Sequence, residues 1–273
     1  MKQKKQRKPR IERIPWKYFM EKKNVLRVYI ILRVLVLLTL IWQLISRNYE
    51  NVFVCLLTLI LFLLPSIVER RLRIDLPDTL EIIILLFIFA ADILGEIQEY
   101  YVLVPHWDTV LHTINGFLFA AVGFSIVNIF NEDKHVAMRL SPFYMAVVAF
   151  CFSMTIGVLW EFFEWGADCL LGLDMQKDVV LQEISSVTLH PEGRNIVQNI
   201  RGIQDTLVVL SDGTQVRLGV GGYLDIGLMD TMKDLLVNLI GAIVFAPIGY
   251  FYVKNKGQGR FARMFIPEVL DEE

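Results

Sequence analysis

Apolar stretches alternate with short polar loops along this chain, and six of them approach the roughly 20 residues that an α-helix needs to cross a lipid bilayer. They run over residues 25–45, 52–68, 80–99, 109–130, 143–168 and 229–253. The second is the shortest and is interrupted by Pro65. The pattern predicts an all-α polytopic membrane protein, a bundle of about six transmembrane helices. Between the fifth and sixth stretches, residues 173–228 are polar enough to stand in water. There, 206–210 and 214–218 are short β-prone runs joined through Ser211, Asp212 and Gly213, a hairpin signal, and 179–189 offers a further strand. Gly219, Gly221 and Gly222 read as a flexible return to the membrane. The organisation that follows is a basic N-terminal segment (1–24), five spans (25–172), a small β-containing insertion (173–228), a sixth span (229–253) and a tail (254–273).

Flanking charge orients the bundle, because Lys and Arg concentrate in the short loops on the cytoplasmic side. Lys2, Lys4, Lys5, Arg7, Lys8, Arg10 and Arg13 precede the first span. Arg70, Arg71 and Arg73 follow the second, Lys134 and Arg139 the fourth, and Lys254, Lys256, Arg260 and Arg263 the sixth. The alternate loops hold Arg47 in one case and no Lys or Arg in the other. Both termini are therefore expected in the cytoplasm, the insertion outside it, and the protein in the plasma membrane.

Composition agrees, since 55% hydrophobic residues exceed what a soluble core of this size fills. The net charge is only −2. The basic start reads as a membrane anchor and not as a nucleic-acid arm, so the expected partner is the lipid bilayer and no nucleic acid. The first apolar stretch lacks a small-residue cleavage site and reads as a retained span. Cys55, Cys151 and Cys169 show no ligand spacing and read as small packing residues.

Ionisable side chains inside a membrane are costly, about 2.5–3.5 kcal/mol each at a helix centre, so their placement is informative. The third span ends with Asp92, Glu96 and Glu99; the fourth opens with His106, Asp108 and His112. The fifth carries Glu161, Glu164 and Asp168, and the sixth opens with Asp230, Asp234 and Asn238. Helical spacing places each set along one face. In the orientation above, all four sets fall at one depth, in the outward half of the bilayer. Carboxylates on facing helices joined by a histidine are a known way to hold a metal in a bundle. The candidate ligands are Asp108, His112, Glu161, Glu164, Asp230 and Asp234 for a divalent cation. Glu161, Glu164 and His112 are the candidate catalytic groups, with Asp92, Glu96, Asp168 and Asn238 behind them or against substrate. Other residues carry plainer readings. Trp107, Trp160 and Trp165 with Tyr100 and Tyr101 suit an interfacial aromatic belt. Gly116, Gly157 and Gly241 suit close helix packing. Arg33 is expected to snorkel or to pair with a neighbouring helix.

Three segments carry a family resemblance: Trp107 to His112, Gly157 to Trp165 and Asp230 to Ala242. In this order they resemble the YjdF-like family of bacterial multi-pass membrane proteins over roughly the third to sixth spans. The sequence of Asp and His, paired acids, then Asp ahead of Asn and Gly is more loosely similar to the VanZ-like family, which is linked to glycopeptide-antibiotic tolerance. The resemblance implies a membrane bundle and supplies no reaction. The long insertion departs from the shorter members.

Three functions stay open. A metal-dependent enzyme acting on a lipid or lipid-linked envelope precursor explains acids gathered at one leaflet. A proton- or cation-coupled transporter also uses intramembrane carboxylates, though the inner halves of the fourth and sixth spans offer few polar groups for a through-path. The last is a non-enzymatic envelope factor with a structural cation.

Overall fold

The fold is described from a computed structural model covering residues 22–72, 74–132 and 139–269. The basic N-terminal run, Arg73 and Lys134, on which the expected orientation partly rests, and the last four residues of the tail lie outside the described residues.

Eight α-helices are described: α1 (Lys23–Ile45), α2 (Tyr49–Leu61), α3 (Leu64–Leu72), α4 (Asp78–Phe89), α5 (Tyr100–Leu103), α6 (Trp107–Glu132), α7 (Pro142–Leu171) and α8 (Leu228–Lys254). Among the described residues, five helical segments are long and apolar enough to cross a membrane: Lys23–Ile45, Tyr49–Arg71, Trp107–Asn131, Pro142–Leu171 and Leu228–Lys254. The third expected span differs from the other five. Its 12-residue α4 runs directly into an 8-residue π-helix, Ala90–Ile97, so no single regular helix crosses there. The second span is longer than its apolar run. Pro65 sits in the first turn of α3, where its missing N–H costs no hydrogen bond. The helix then continues past the charged Glu69 because that carboxylate is buried against a lysine.

The chain divides into two compact units, and the division falls inside α6, α7 and α8. The first contains residues 1–111, 121–148 and 246–273. Its core is a seam of Val25, Leu32 and Val36 from α1, Cys55 and Phe62 around α2, Leu85 and Ile88 from α4, and Ile93 and Ile97 from the π-helix. The outer face of α1 is equally apolar, with Ile31, Leu38, Ile41 and Ile45 all exposed. A helix apolar on every side belongs in lipid. Arg33 pairs within its own helix, donating to the Tyr29 hydroxyl one turn back with its guanidinium 5.3 Å from that ring. In the π-helix, Gly95 is required by Tyr101, whose ring would lie 2.4 Å from an added Cβ.

At one edge of this unit Lys22 is enclosed by carboxylates. Its ammonium lies 2.8 Å from Glu69, 2.9 Å from Asp75 and 3.2 Å from Glu81, and donates to the Leu76 carbonyl at 2.6 Å. Strand β1 (Ile74–Asp75) runs through the same loop and pairs antiparallel with β8 (Glu268–Val269), so the tail folds back, burying Phe265 and Ile266.

The second unit holds residues 112–120 and 149–245. Its insertion consists of two-stranded antiparallel pairs. Strands β2 (Val180–Leu181) and β7 (Tyr223–Leu224) close the stem, and β3 (Glu183–Ser186) pairs with β4 (Gln198–Arg201). The expected hairpin is β5 (Leu207–Val209) with β6 (Gln215–Arg217), in register Val208 to Val216, closed by Gly213 at φ 85°. The expected single strand over 179–189 is two strands with different partners, and β4 had no forecast. Of the cysteines, Cys55 packs in a core as expected, whereas Cys151 and Cys169 are exposed.

Candidate functional site

Three helices of the second unit meet on glycine. A Cβ on Gly116 would lie 2.1 Å from the Asn238 carbonyl oxygen, and one on Gly241 would lie 2.1 Å from that of Thr113. One on Gly157 would lie 2.7 Å from the Asn238 amide nitrogen. Backbones this close favour small residues, as in membrane helix pairs generally. Polar groups stitch the same contact. The Ser153 hydroxyl donates to the Gly116 carbonyl (2.7 Å), and the Asn115 amide donates to Asn238 Oδ1 (3.3 Å). Asn238 itself donates to the Ser153 carbonyl (3.5 Å). Asn238, expected behind the ligands or against substrate, is thus the centre of a three-helix knot.

The acids lie one to two turns from this knot along each helix. His112 and Gly116 are one turn apart in α6, Glu161 is one turn beyond Gly157 in α7, and Asp234 is one turn before Asn238 in α8. Close approach of the backbones therefore brings the side chains together. His112, Glu161 and Glu164 are all buried and offer ligand atoms within 4.8 Å of one another. Nδ1 of His112 is 3.8 Å from Oε1 of Glu161. His112 and Asp234 also offer atoms within 4.8 Å of each other. Asp234 is 1% exposed, Glu161 4% and His112 8%, so all three side chains are buried. Lys233, with its side chain 45% exposed, lies 3.4 Å from Asp230 and 3.8 Å from Asp234. Trp160, expected in the aromatic belt, donates its indole N–H to Oε1 of Glu164 at 2.8 Å.

The remaining candidates have other partners. Asp168 accepts the amides of Met175 (2.6 Å) and Gln176 (2.9 Å), tying down the loop after α7. Asp230 accepts the amide of Lys177 (3.0 Å) from the same loop. Asp108 stands one turn ahead of His112 in α6. Asp92 and Glu96 belong to the first unit, where Asp92 accepts the Thr58 hydroxyl at 2.8 Å and Glu96 is exposed.

Ser153, Asn115 and Asp225 were not singled out from the sequence. Asp225 accepts the amides of Val179 (2.9 Å), Gly227 (3.2 Å) and Met229 (2.7 Å), joining the stem of the insertion to the start of α8. An acid just ahead of a helix start is a capping signal, and Asp225 was legible as one. Asp225→Ala is expected to cost about 1–2 kcal/mol locally. Hydrogen exchange should quicken in residues 175–181 and 225–230 while the helix centres stay protected; unchanged exchange there would contradict the capping role.

Apolar helices long enough to span a bilayer, and polar side chains kept to their contacts with one another, define a multi-pass membrane protein. The chain belongs to the family described as Predicted membrane protein (DUF2238), whose model matches residues 28–255. No curated protein and no solved structure matches it.

Proposed function

We propose that this protein is a metal-dependent membrane enzyme that holds a divalent cation on His112, Glu161, Glu164 and Asp234 and acts on a lipid or lipid-linked envelope precursor. The observation that carries this reading is the convergence of three buried carboxylates on one buried imidazole, from three helices of an apolar bundle. Such a group is stable only when cations or protons offset its charge. Mixed nitrogen and oxygen donors suit zinc, manganese or iron better than calcium. A cation bound there would supply Lewis-acid chemistry. A carboxylate of the group would serve as general base, and Trp160 keeps Glu164 in a fixed orientation. In the orientation read from the flanking Lys and Arg, the site and the insertion face outward, both termini lie in the cytoplasm, and the substrate arrives from the outer leaflet. The likeness to the YjdF-like family rests on the same residues.

The test is metal content by mass spectrometry on detergent-purified protein, wild type beside Glu161→Gln and Asp234→Asn. About one divalent cation per chain is expected in wild type, with at least a tenfold loss in both variants at unchanged helical content. Absence of metal after loading with zinc, manganese, iron and magnesium in turn would sink the site and favour a proton-coupled transporter. Stoichiometric metal without turnover of any lipid would leave a structural cation.

A further inference from the structure

The chain turns back on itself after α8. Gly257 and Gly259 take φ of 72° and 149°, Arg263 donates to the Gly257 carbonyl at 3.0 Å, and Ala262, Phe265 and Ile266 are buried. Between the last turns of α8 and this returning segment lies a groove of about 290 Å³. Ile248, Phe251, Tyr252 and Phe261 supply its apolar surface, with Asn255 and Gln258 the polar side chains on its lining. Phe251 is 54% exposed and Phe261 60%, so two aromatic rings stand open beside it.

The stretch of chain that forms this groove carries charge of one sign. Between Ala246 and Pro267 the chain carries Lys254, Lys256, Arg260 and Arg263 and no Asp or Glu. Lys254 closes the spanning helix, and its ammonium is placed 5.5 Å from the Tyr250 ring and 6.0 Å from the Phe251 ring, the latter lining the groove. A cation held over aromatics at the end of a membrane helix sits at the level of lipid headgroups.

We infer that this groove binds one anionic phospholipid, its acyl chain against Ile248, Phe251 and Phe261 and its phosphate among Lys254, Lys256 and Arg260. Two features select that occupant. An apolar groove open at the end of a spanning helix meets lipid chains, and the basic residues of the stretch that forms it complement a negative headgroup. The site shares no residue with the His112 group and does not depend on it.

The full-length protein, delipidated in detergent and re-equilibrated with phosphatidylglycerol or phosphatidylcholine, should retain one phosphatidylglycerol in native mass spectrometry. Phosphatidylcholine should be retained at least tenfold less. Lys254→Gln and Arg260→Gln should each weaken phosphatidylglycerol retention about fivefold. Phe261→Ala should weaken retention of both lipids, which separates binding in the groove from charge attraction alone. All three side chains are exposed, so folding, followed by thermal melts, should be unchanged. Equal retention of the two lipids by wild type overturns the inference. So does retention that Phe261→Ala leaves intact, because the lipid would then lie elsewhere.

Discussion

Gly241→Ala is expected to abolish the well-packed state of the second unit. The added Cβ would stand 2.1 Å from the Thr113 oxygen and 2.8 Å from the Phe117 nitrogen, both backbone atoms of α6 that no rotamer change can move. Relief requires the helices to separate, which breaks the bonds of Asn238 with Asn115 and Ser153 and spreads His112 from Asp234. Overpacking a tight core costs about 1–3 kcal/mol, and lost polar contacts add about 1 kcal/mol each. Gly116→Ala should match it, because it meets the Asn238 carbonyl in the same way. Gly157→Ala meets the Asn238 side chain and should be milder, with partial recovery when combined with Asn238→Ala. Thermal melts of the purified variants, read beside their metal content, test the order. A Gly241→Ala protein that melts with wild type would falsify the packing account.

The second large effect is expected at Lys22→Met, far in sequence from the acid group. The lysine side chain is 14% exposed and its partners Glu69 and Glu81 4% and 11%, so its removal leaves carboxylates facing one another out of water. Breaking a buried ion pair from one side costs about 3–5 kcal/mol, more than the pair itself contributes. The unfolding midpoint should fall accordingly, and Lys22→Met with Glu69→Gln should recover part of the loss. Burial alone would lower the lysine pKa, but hydrogen bonds to Glu69 and Asp75 and the charges of Glu81 and Glu69 outweigh it and hold it above its ordinary 10.5. A group whose folded pKa is raised contributes fully below its unfolded pKa and loses that contribution only as pH climbs through the folded value. The difference between wild type and Lys22→Met should thus be constant from neutral pH to about 10 and shrink only in stronger alkali. A deficit that disappears near neutral pH would contradict this.

The apolar runs exposed the helices because lipid imposes its thickness on sequence length, and helical spacing already placed each set of acids on one face. The same spacing does not say which sets meet. Asp168 and Asp230 look like further site acids in sequence, but backbone amides brought near by the insertion claim them. Asp92 is claimed by Thr58 on a neighbouring helix. Trp160 reads as an interfacial anchor in sequence, and the fold adds that its N–H bonds Glu164. Each difference arises from a partner distant in the chain.

By itself, then, the sequence determined what a local rule can determine. It specified a membrane bundle, five of its six expected long apolar helices, the hairpin at Asp212 and Gly213, and glycines at close helix contacts. Tertiary structure decided what depends on three chains of atoms meeting at a point. It made the third apolar stretch an α-helix running into a π-helix, folded the tail onto Ile74 and Asp75, and buried Lys22 among three carboxylates. It also reduced a long roster of acids to the few around His112. Hydrophobicity and helical period act over a few residues and are written in order along the chain. A hydrogen bond or a ligand set is a coincidence of positions in space, set by how closely Gly116, Gly157 and Gly241 let the helices approach.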